Sequence, residues 1–220
     1  MKQFDTTVIT HNLQPILEAL AITVGTWTAG VLIGIAIGFL IAVLQLFSGA
    51  LVRAVLRGYI EFFRSTPFLI QLFLLYYGGP SFGLTLEPMT ASVIGLGLYG
   101  SAYFAEAFRS GFQSVPRGHL EAAQCLGLSR WQMVVRVQFP QMLVLIVPAL
   151  TNLTIVLSKE TAVLSIVTVP ELTFVLTGIG SATFAFMETL LVLCVCYLIL
   201  VELTSRAGAW AERRLARIYA

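Results

Sequence analysis

Four long stretches of this chain carry no charged residue, and they constrain the fold more than any other feature. They lie between Glu18 and Arg53, between Arg64 and Glu87, between Glu87 and Glu106, and between Arg136 and Lys159. A helix needs roughly 20 apolar residues to cross the hydrocarbon of a bilayer, so each stretch has room for one span. A fifth candidate, residues 182–204, tolerates two glutamates near its ends. The pattern predicts five transmembrane helices.

The composition supports a single integral membrane domain. Of the 220 residues, 58% are hydrophobic and only 11% are charged, whereas a soluble domain carries about 25% charged residues. Most of the surface is therefore expected to face lipid. Because no linker or low-complexity segment interrupts the pattern, residues 1–220 are predicted to form one all-α membrane domain.

The positions of the basic residues predict the orientation. All of the 13 lysines and arginines except Lys2 and Lys159 fall between spans one and two, between spans three and four, or after span five. Short loops rich in Lys and Arg stay in the cytoplasm. The N-terminus is therefore expected outside and the C-terminus inside the cell.

The first span contains Gly30, Gly34 and Gly38 at four-residue spacing. Such a ridge without side chains lets another helix approach closely. Two interpretations stay open, namely packing within the same subunit and a seam between two subunits.

Lys159 and Glu160 follow a long uncharged stretch, so they lie deep in span four or just beyond its end. A charge at the bilayer centre costs about 2.5–3.5 kcal/mol on insertion scales, so both side chains are expected to face protein or water. Neighbouring helix positions point about 100° apart, and each charge is expected to have its own partner. A packing network and the lining of a solute pathway both remain open, while Glu61 and Arg64 are interpreted as anchors at the membrane surface.

The loop of residues 114–140 is predicted to form two short helices on the cytoplasmic side. Pro116 suits the first position of a helix and Gly127 suits the left-handed residue after a helix end. Ser129 and Gln132 have the spacing of a capping box. Between Pro116 and Gly127, the residues Glu121-Ala122-Ala123 give the first helix a small, flat face that is suited to docking in a partner's groove.

This loop resembles the EAA loop of binding-protein-dependent ABC importer permeases. The matching residues are Glu121-Ala122-Ala123, then Gly127 after three intervening residues, and then Val137-Gln138-Phe139-Pro140 after nine intervening residues. Val137 and Phe139 stand where the family pattern has Ile and Leu. The spacing is fully kept.

Two further segments are similar to permeases for polar amino acids and opines. One runs from Tyr59 to Gln71, with Ser65 in place of a usual Gly. The other runs from Lys159 to Leu172, with Ala162 in place of a usual Ser. The resemblance thus covers nearly the whole chain from Tyr59 onward.

The resemblance implies a type I ABC importer permease fold with a cytoplasmic coupling helix. It also implies a transport subunit rather than an enzyme, acting in a bacterial inner membrane beside a second permease subunit, two ATP-binding subunits and an external solute-binding protein. No nucleic acid and no cofactor of this chain are expected, since ATP and Mg would bind the partner ATPases. The residues expected to dock the ATPase are Arg117, Glu121, Ala122, Ala123 and Gly127. The expected solute-pathway residues are Lys159, Glu160, Thr161, Gln71 and Ser101.

Other functions are less consistent with the residues. A P-loop needs a lysine after glycine, and neither lysine of this chain follows one, so the energy is expected from a partner. A permease for another solute, such as a metal ion or methionine, stays open as an alternative. The chain lacks the inverted repeat expected of a stand-alone secondary transporter. It also has no histidine in a predicted span, which argues against a membrane enzyme. The sequence leaves open which amino acid is carried, whether the permease pair is homo- or heterodimeric, and how residues 161–180 fold.

Overall fold

All regular secondary structure over residues 6–219, the part that the computed structural model describes, is helical, and no strand occurs in that part. The first five helices are α1 Thr7–His11, α2 Leu13–Phe47, α3 Ala50–Ser65, α4 Phe68–Phe73 and α5 Pro88–Ser114. The next five are α6 Arg117–Cys125, α7 Arg130–Met133, α8 Phe139–Glu160, α9 Leu172–Thr183 and α10 Phe186–Tyr219. Single π or 3-10 segments extend some of them, at Leu74–Gly78, Gly79–Phe82, Val134–Gln138 and Thr161–Val167. The all-α prediction is confirmed.

Three helical segments are long and apolar enough to cross a membrane. They are Leu13–Phe47, Arg130–Val167 and Phe186–Arg217, and they coincide with the first, fourth and fifth predicted spans. Two shorter apolar segments, Phe68–Phe82 and Leu172–Thr183, accompany them. Three of the five predicted spans therefore have the length and the apolar composition of a transmembrane helix.

A break between two helices falls at Pro67, near the start of the second predicted span. The helix α3 ends at Ser65 and α4 begins at Phe68, with Thr66 and Pro67 in extended conformation between them. Proline disfavours helical geometry in the residue before it, and this explains the break. The third predicted span is the 27-residue helix α5, which at 1.5 Å per residue has the length of a span.

The glycine ridge of α2 packs against α5 inside the same chain. A methyl group added at Gly38 would lie 2.8 Å from both the backbone nitrogen of Ala105 and the carbonyl oxygen of Ser101. At Gly30 an added methyl would lie 2.7 Å from the Leu96 side chain. Of the two interpretations left open by the sequence, packing within the subunit is the one observed.

The connection after α8 is helical rather than an open loop. A 3-10 segment, Thr161–Val167, ends at Thr168, which adopts a left-handed conformation with φ 62°. Glu171 is fully buried and caps α9, because its two carboxylate oxygens accept hydrogen bonds from the backbone N–H groups of Thr173 and Phe174, each at 2.8 Å. An N-cap carboxylate satisfies two of the unpaired N–H groups of a helix start.

Candidate docking loop and solute pathway

The helix α6 ends in a Schellman motif formed by the predicted glycine. Gly127 has φ 75°, its N–H donates to Gln124 O at 2.9 Å, and the N–H of Leu128 donates to Ala123 O at 3.2 Å. These are the two bonds that define the motif, and they require a left-handed residue at position 127. The helix starts one residue later than expected, because Pro116 is its N-cap.

The second predicted helix of the loop is continuous with span four. Ser129 and Gln132 form the predicted capping box, with Gln132 Oε1 accepting from Ser129 N at 2.9 Å and Ser129 Oγ from Gln132 N at 3.3 Å. The helix then passes through the π segment Val134–Gln138 into α8. Pro140 has no N–H to donate, and a local change of hydrogen-bond pattern of this kind accommodates it.

The exposed face of α6 differs from the face that the sequence suggested. Arg117, Glu121 and Ala122 are exposed, whereas Ala123 is only 4% exposed and packs inward. Leu126, at the end of the helix, is 80% exposed and was missed by the sequence analysis. The sequence could have indicated this exposure, since a large apolar residue directly before the glycine that ends a helix has little of its own chain to pack against.

Contacts between helices define the depth of Lys159 and Glu160. Gly100, one residue from the middle of α5, lies against Leu157 of α8, because an added methyl there would be 2.6 Å from Leu157 Cδ2. At 1.5 Å per residue, Lys159 and Glu160 lie within one helical turn of that level. They therefore sit near mid-depth of the bundle rather than at its end.

The two charges at mid-depth do not pair with each other. Lys159 is exposed in the isolated subunit and Glu160 is partly exposed. Among the described residues the only ion pairs join Glu106 to Arg109 and Glu202 to Arg206. Both side chains at positions 159 and 160 are therefore available to groups from outside the subunit.

The other three predicted pathway residues are buried and form hydrogen bonds within the subunit. Ser101 Oγ donates to Leu98 O at 2.7 Å and is hydrogen-bonded to the Tyr59 hydroxyl, also at 2.7 Å. Thr161 Oγ1 donates to Ser158 O at 2.7 Å and lies 3.1 Å from the Tyr197 hydroxyl. These contacts tie α5 to α3 and the 3-10 segment after α8 to α10, so both hydroxyl groups have hydrogen-bond partners within the subunit.

Gln71 supports the break between α3 and α4. Its Nε2 donates to the carbonyl oxygens of Phe63 and Thr66, each at 2.9 Å, and approaches Thr66 Oγ1 at 2.7 Å. The amide thus satisfies carbonyl groups that the end of α3 leaves without helical partners. Its Oε1 is buried without a hydrogen-bond partner among the described residues, so these structural contacts involve only the donor side of the amide.

Two polar cavities occupy the half of the bundle between mid-depth and the α6 end. The first, of about 380 Å³, lies mainly between α5 and α8 and includes Tyr103, Glu106 and Asn152 in its wall. The second, of about 360 Å³, lies between α2, α3 and α5. Arg64 and Glu106 line both cavities, so the two adjoin each other.

The charged groups between the cavities are held in defined positions. Arg109 forms a bidentate ion pair with Glu106, with Nε donating to Oε2 at 2.8 Å. The Arg64 guanidinium lies over the Tyr103 ring, 5.5 Å from its centroid, within the range of a cation–π interaction. Arg64 is therefore more than the surface anchor suggested by the sequence, which also gave no reason to select Tyr103, Glu106 or Asn152.

These features define a helical membrane protein with charged residues at mid-depth and a short exposed helix at one end. The chain belongs to the family of binding-protein-dependent transport system inner membrane components, whose model matches residues 30–217. It is therefore a transport subunit of the permease class, as the resemblance implied.

Individual relatives match over almost their whole length. The probable amino-acid ABC transporter permease PatM of Vibrio harveyi is 32% identical over 219 residues, covering 98% of each chain. The nopaline transport system permease NocM of Agrobacterium fabrum is 31% identical and covers 94% of this chain and 90% of its own. A chain in the crystal structure of an amino acid ABC transporter with histidines superimposes with a TM-score of 0.90 at 32% identity, covering 97% of this chain and 100% of that one. The predicted permease fold is confirmed.

Proposed function

We propose that this chain forms the translocation pathway for a polar amino acid, or an opine-like derivative, in an ATP-driven importer that works by alternating access. The observation that carries the proposal is that charged groups occur at two levels of the bundle, with Lys159 and Glu160 at mid-depth and Arg64 and Glu106 in a cavity nearer the α6 end. The amino-acid and opine permeases among the relatives support the solute class.

An amino acid in its zwitterionic form needs partners for both of its charges when it leaves water. Burying an unpaired charge is strongly unfavourable, and ionisable groups inside membranes are typical of solute pathways. Lys159 provides a cation for the carboxylate and Glu160 an anion for the ammonium group or a cationic side chain. A binding site at mid-depth between mobile elements is the usual arrangement in transporters.

The subunit is proposed to work within a larger complex. Its partners would be a second permease subunit, two cytoplasmic ATPases that bind ATP and Mg, and an external solute-binding protein. The helix α6 would be the coupling helix, because its outer face is exposed while its inner face is fixed to the spans. His119 Nδ1, which lies 2.7 Å from Gln141 Oε1, adds a direct link from α6 to α8.

The topology proposed for the subunit has five spans in a bacterial inner membrane, with the N-terminus outside and the C-terminus inside. The apolar segment Phe68–Phe82 and the helix α5 would supply the second and third spans. The arginine distribution supports this orientation. Lys2, the basic residue expected on the outer side, lies outside the described residues.

In a cysteine-free background, single cysteines at Asn12 and Ser114 test this topology in intact cells. An impermeant thiol reagent is expected to label position 12 only, and labelling at position 114 would contradict the topology.

Substitution of the mid-depth charges tests the function. In proteoliposomes containing the complete complex, Lys159→Ala is expected to reduce uptake at least tenfold, with assembly and basal ATPase activity retained. Lys159→Arg keeps the charge and is expected to retain part of the uptake. Glu160→Gln is expected to weaken transport of cationic amino acids selectively.

Three results would count against this assignment. Wild-type uptake by a stable Lys159→Ala complex would remove the charge from the pathway. Loss of stability together with activity would indicate a packing role for Lys159. Uptake that persists without the ATPase subunits would indicate a secondary transporter instead.

A further inference from the structure

The geometry points to a second amino-acid binding site in this subunit, in the 360 Å³ cavity near the α6 end of the bundle. Its polar lining residues are Gln45 of α2, Arg57, Glu61 and Arg64 of α3, and Glu106 and Arg109 of α5. The inference rests on the proposed function, because it places the same class of solute at a second position. Under the proposed topology the site opens toward the cytoplasm.

Gln45 is the residue that makes this cavity unusual. It is only 7% exposed, and neither its Nε2 nor its Oε1 has a hydrogen-bond partner among the described residues. A buried amide without partners costs free energy, which an apolar residue of similar size would avoid. The amide group offers a donor to a carboxylate and an acceptor to an ammonium group, and an amino acid supplies both on adjacent atoms.

The charges of the cavity also match a zwitterion. Arg109 is already paired with Glu106, whereas Arg57, Arg64 and Glu61 form no ion pair with any described residue. Arginine binds carboxylates through two parallel hydrogen bonds. Arg57, which lines the same cavity as the Gln45 amide, is therefore suited to the carboxylate, and Glu61 is suited to the ammonium group.

The position of the cavity assigns it to the release side of the pathway. Arg64 and Glu106 are shared with the neighbouring cavity, which extends past Tyr103 and Asn152 toward mid-depth. A solute that leaves Lys159 and Glu160 toward the α6 end would meet these shared residues and then the Gln45 cavity. The site would hold the solute between the mid-depth site and the cytoplasm.

Equilibrium binding to the complex of permease and ATPases in lipid nanodiscs tests the site. The probe is whichever of radiolabelled L-arginine, L-glutamine, L-histidine and L-glutamate is taken up fastest, and no solute-binding protein is present. The wild-type complex is expected to show two classes of site per permease chain. Gln45→Leu and Arg57→Gln are each expected to weaken one class at least tenfold, and the α-amide of the same amino acid is expected not to compete for it.

Thermal unfolding of the same variants separates binding from packing. Gln45→Leu removes a buried amide that lacks partners, so its midpoint is expected to be equal to or higher than that of the wild type. Ser92→Ala is the matched control, because Ser92 Oγ is also buried and unpartnered but does not line the cavity. It is expected to behave like Gln45→Leu in unfolding while both binding classes remain.

Two results would overturn the inference. Gln45→Leu could keep both classes of site, or the α-amide could compete as well as the amino acid itself. If either occurs while Lys159→Ala still abolishes uptake, only this second site is refuted. If none of the four amino acids is transported or bound, the proposed function fails first.

Discussion

Replacing Ala122 with aspartate is expected to abolish ATP-dependent uptake while the permease still folds and inserts. Ala122 is exposed on the outer face of α6, beside Glu121, where a helix-in-groove contact with an ATPase would bury it. A carboxylate at this point would be taken out of water without a partner, which is strongly unfavourable. The variant is expected to lose co-purification with the ATPase in detergent and to show uptake at the background level.

Two further variants make this result specific. Ala50→Asp places the same charge at another exposed alanine at the start of α3, and it is expected to leave co-purification unchanged. Ala123→Asp would instead force a charge into the inward face of α6, where residue 123 is 4% exposed, and it is expected to lower thermal stability as well. Normal uptake by Ala122→Asp would exclude the outer face of α6 from the coupling contact.

The substitution Gly38→Ala is expected to destabilise the subunit more than its single methyl group suggests. The new methyl would lie 2.8 Å from two backbone atoms of α5, at Ala105 and Ser101. Backbone atoms have no alternative rotamer, so α2 and α5 would have to separate along part of their length. Overpacking of this kind typically costs about 1–3 kcal/mol. The loss is measured as a lower thermal unfolding midpoint of the purified complex.

A graded series on α2 controls for the change of residue type. Gly25 has no atom within 4 Å of an added methyl, so Gly25→Ala is expected to be neutral or stabilising, since alanine favours the helix by about 0.5–1 kcal/mol. Gly30→Ala would bring the methyl group closest to the Leu96 side chain, which can change rotamer, and is expected to fall between the two. Equal midpoints for Gly38→Ala and Gly25→Ala would show that the two helices tolerate separation.

The loop of residues 114–140 shows how much of the local structure can be predicted from neighbouring residues. Gly127 and the pair Ser129 and Gln132 were assigned correctly because their hydrogen bonds join residues at most five positions apart. The rotation of α6 about its own axis depends instead on contacts with α8 and with the π segment Val134–Gln138 that precedes α8. The sequence therefore placed Ala123 on the docking face, whereas packing turns it inward and leaves Leu126 exposed.

The pathway residues show the same limit over longer distances. Ser101 and Thr161 are polar residues in apolar helices, and a linear pattern does not reveal that Tyr59 and Tyr197 satisfy their hydroxyl groups. Bringing Arg64 and Glu106 into the same two cavities requires the relative positions of α3 and α5. These positions follow from how side chains and backbones fit at close range.

The sequence by itself determined the membrane class, the loop signals and the family resemblance, because each depends on composition or on residues near one another in the chain. Uncharged stretches of sufficient length have few alternatives to spanning a bilayer. Only the tertiary structure decided which face of each helix is buried and how the helices align in depth. The physical reason is that lipid tails are as apolar as the core, so hydrophobicity does not orient a helix about its axis, and close packing such as that of Gly38 against α5 does.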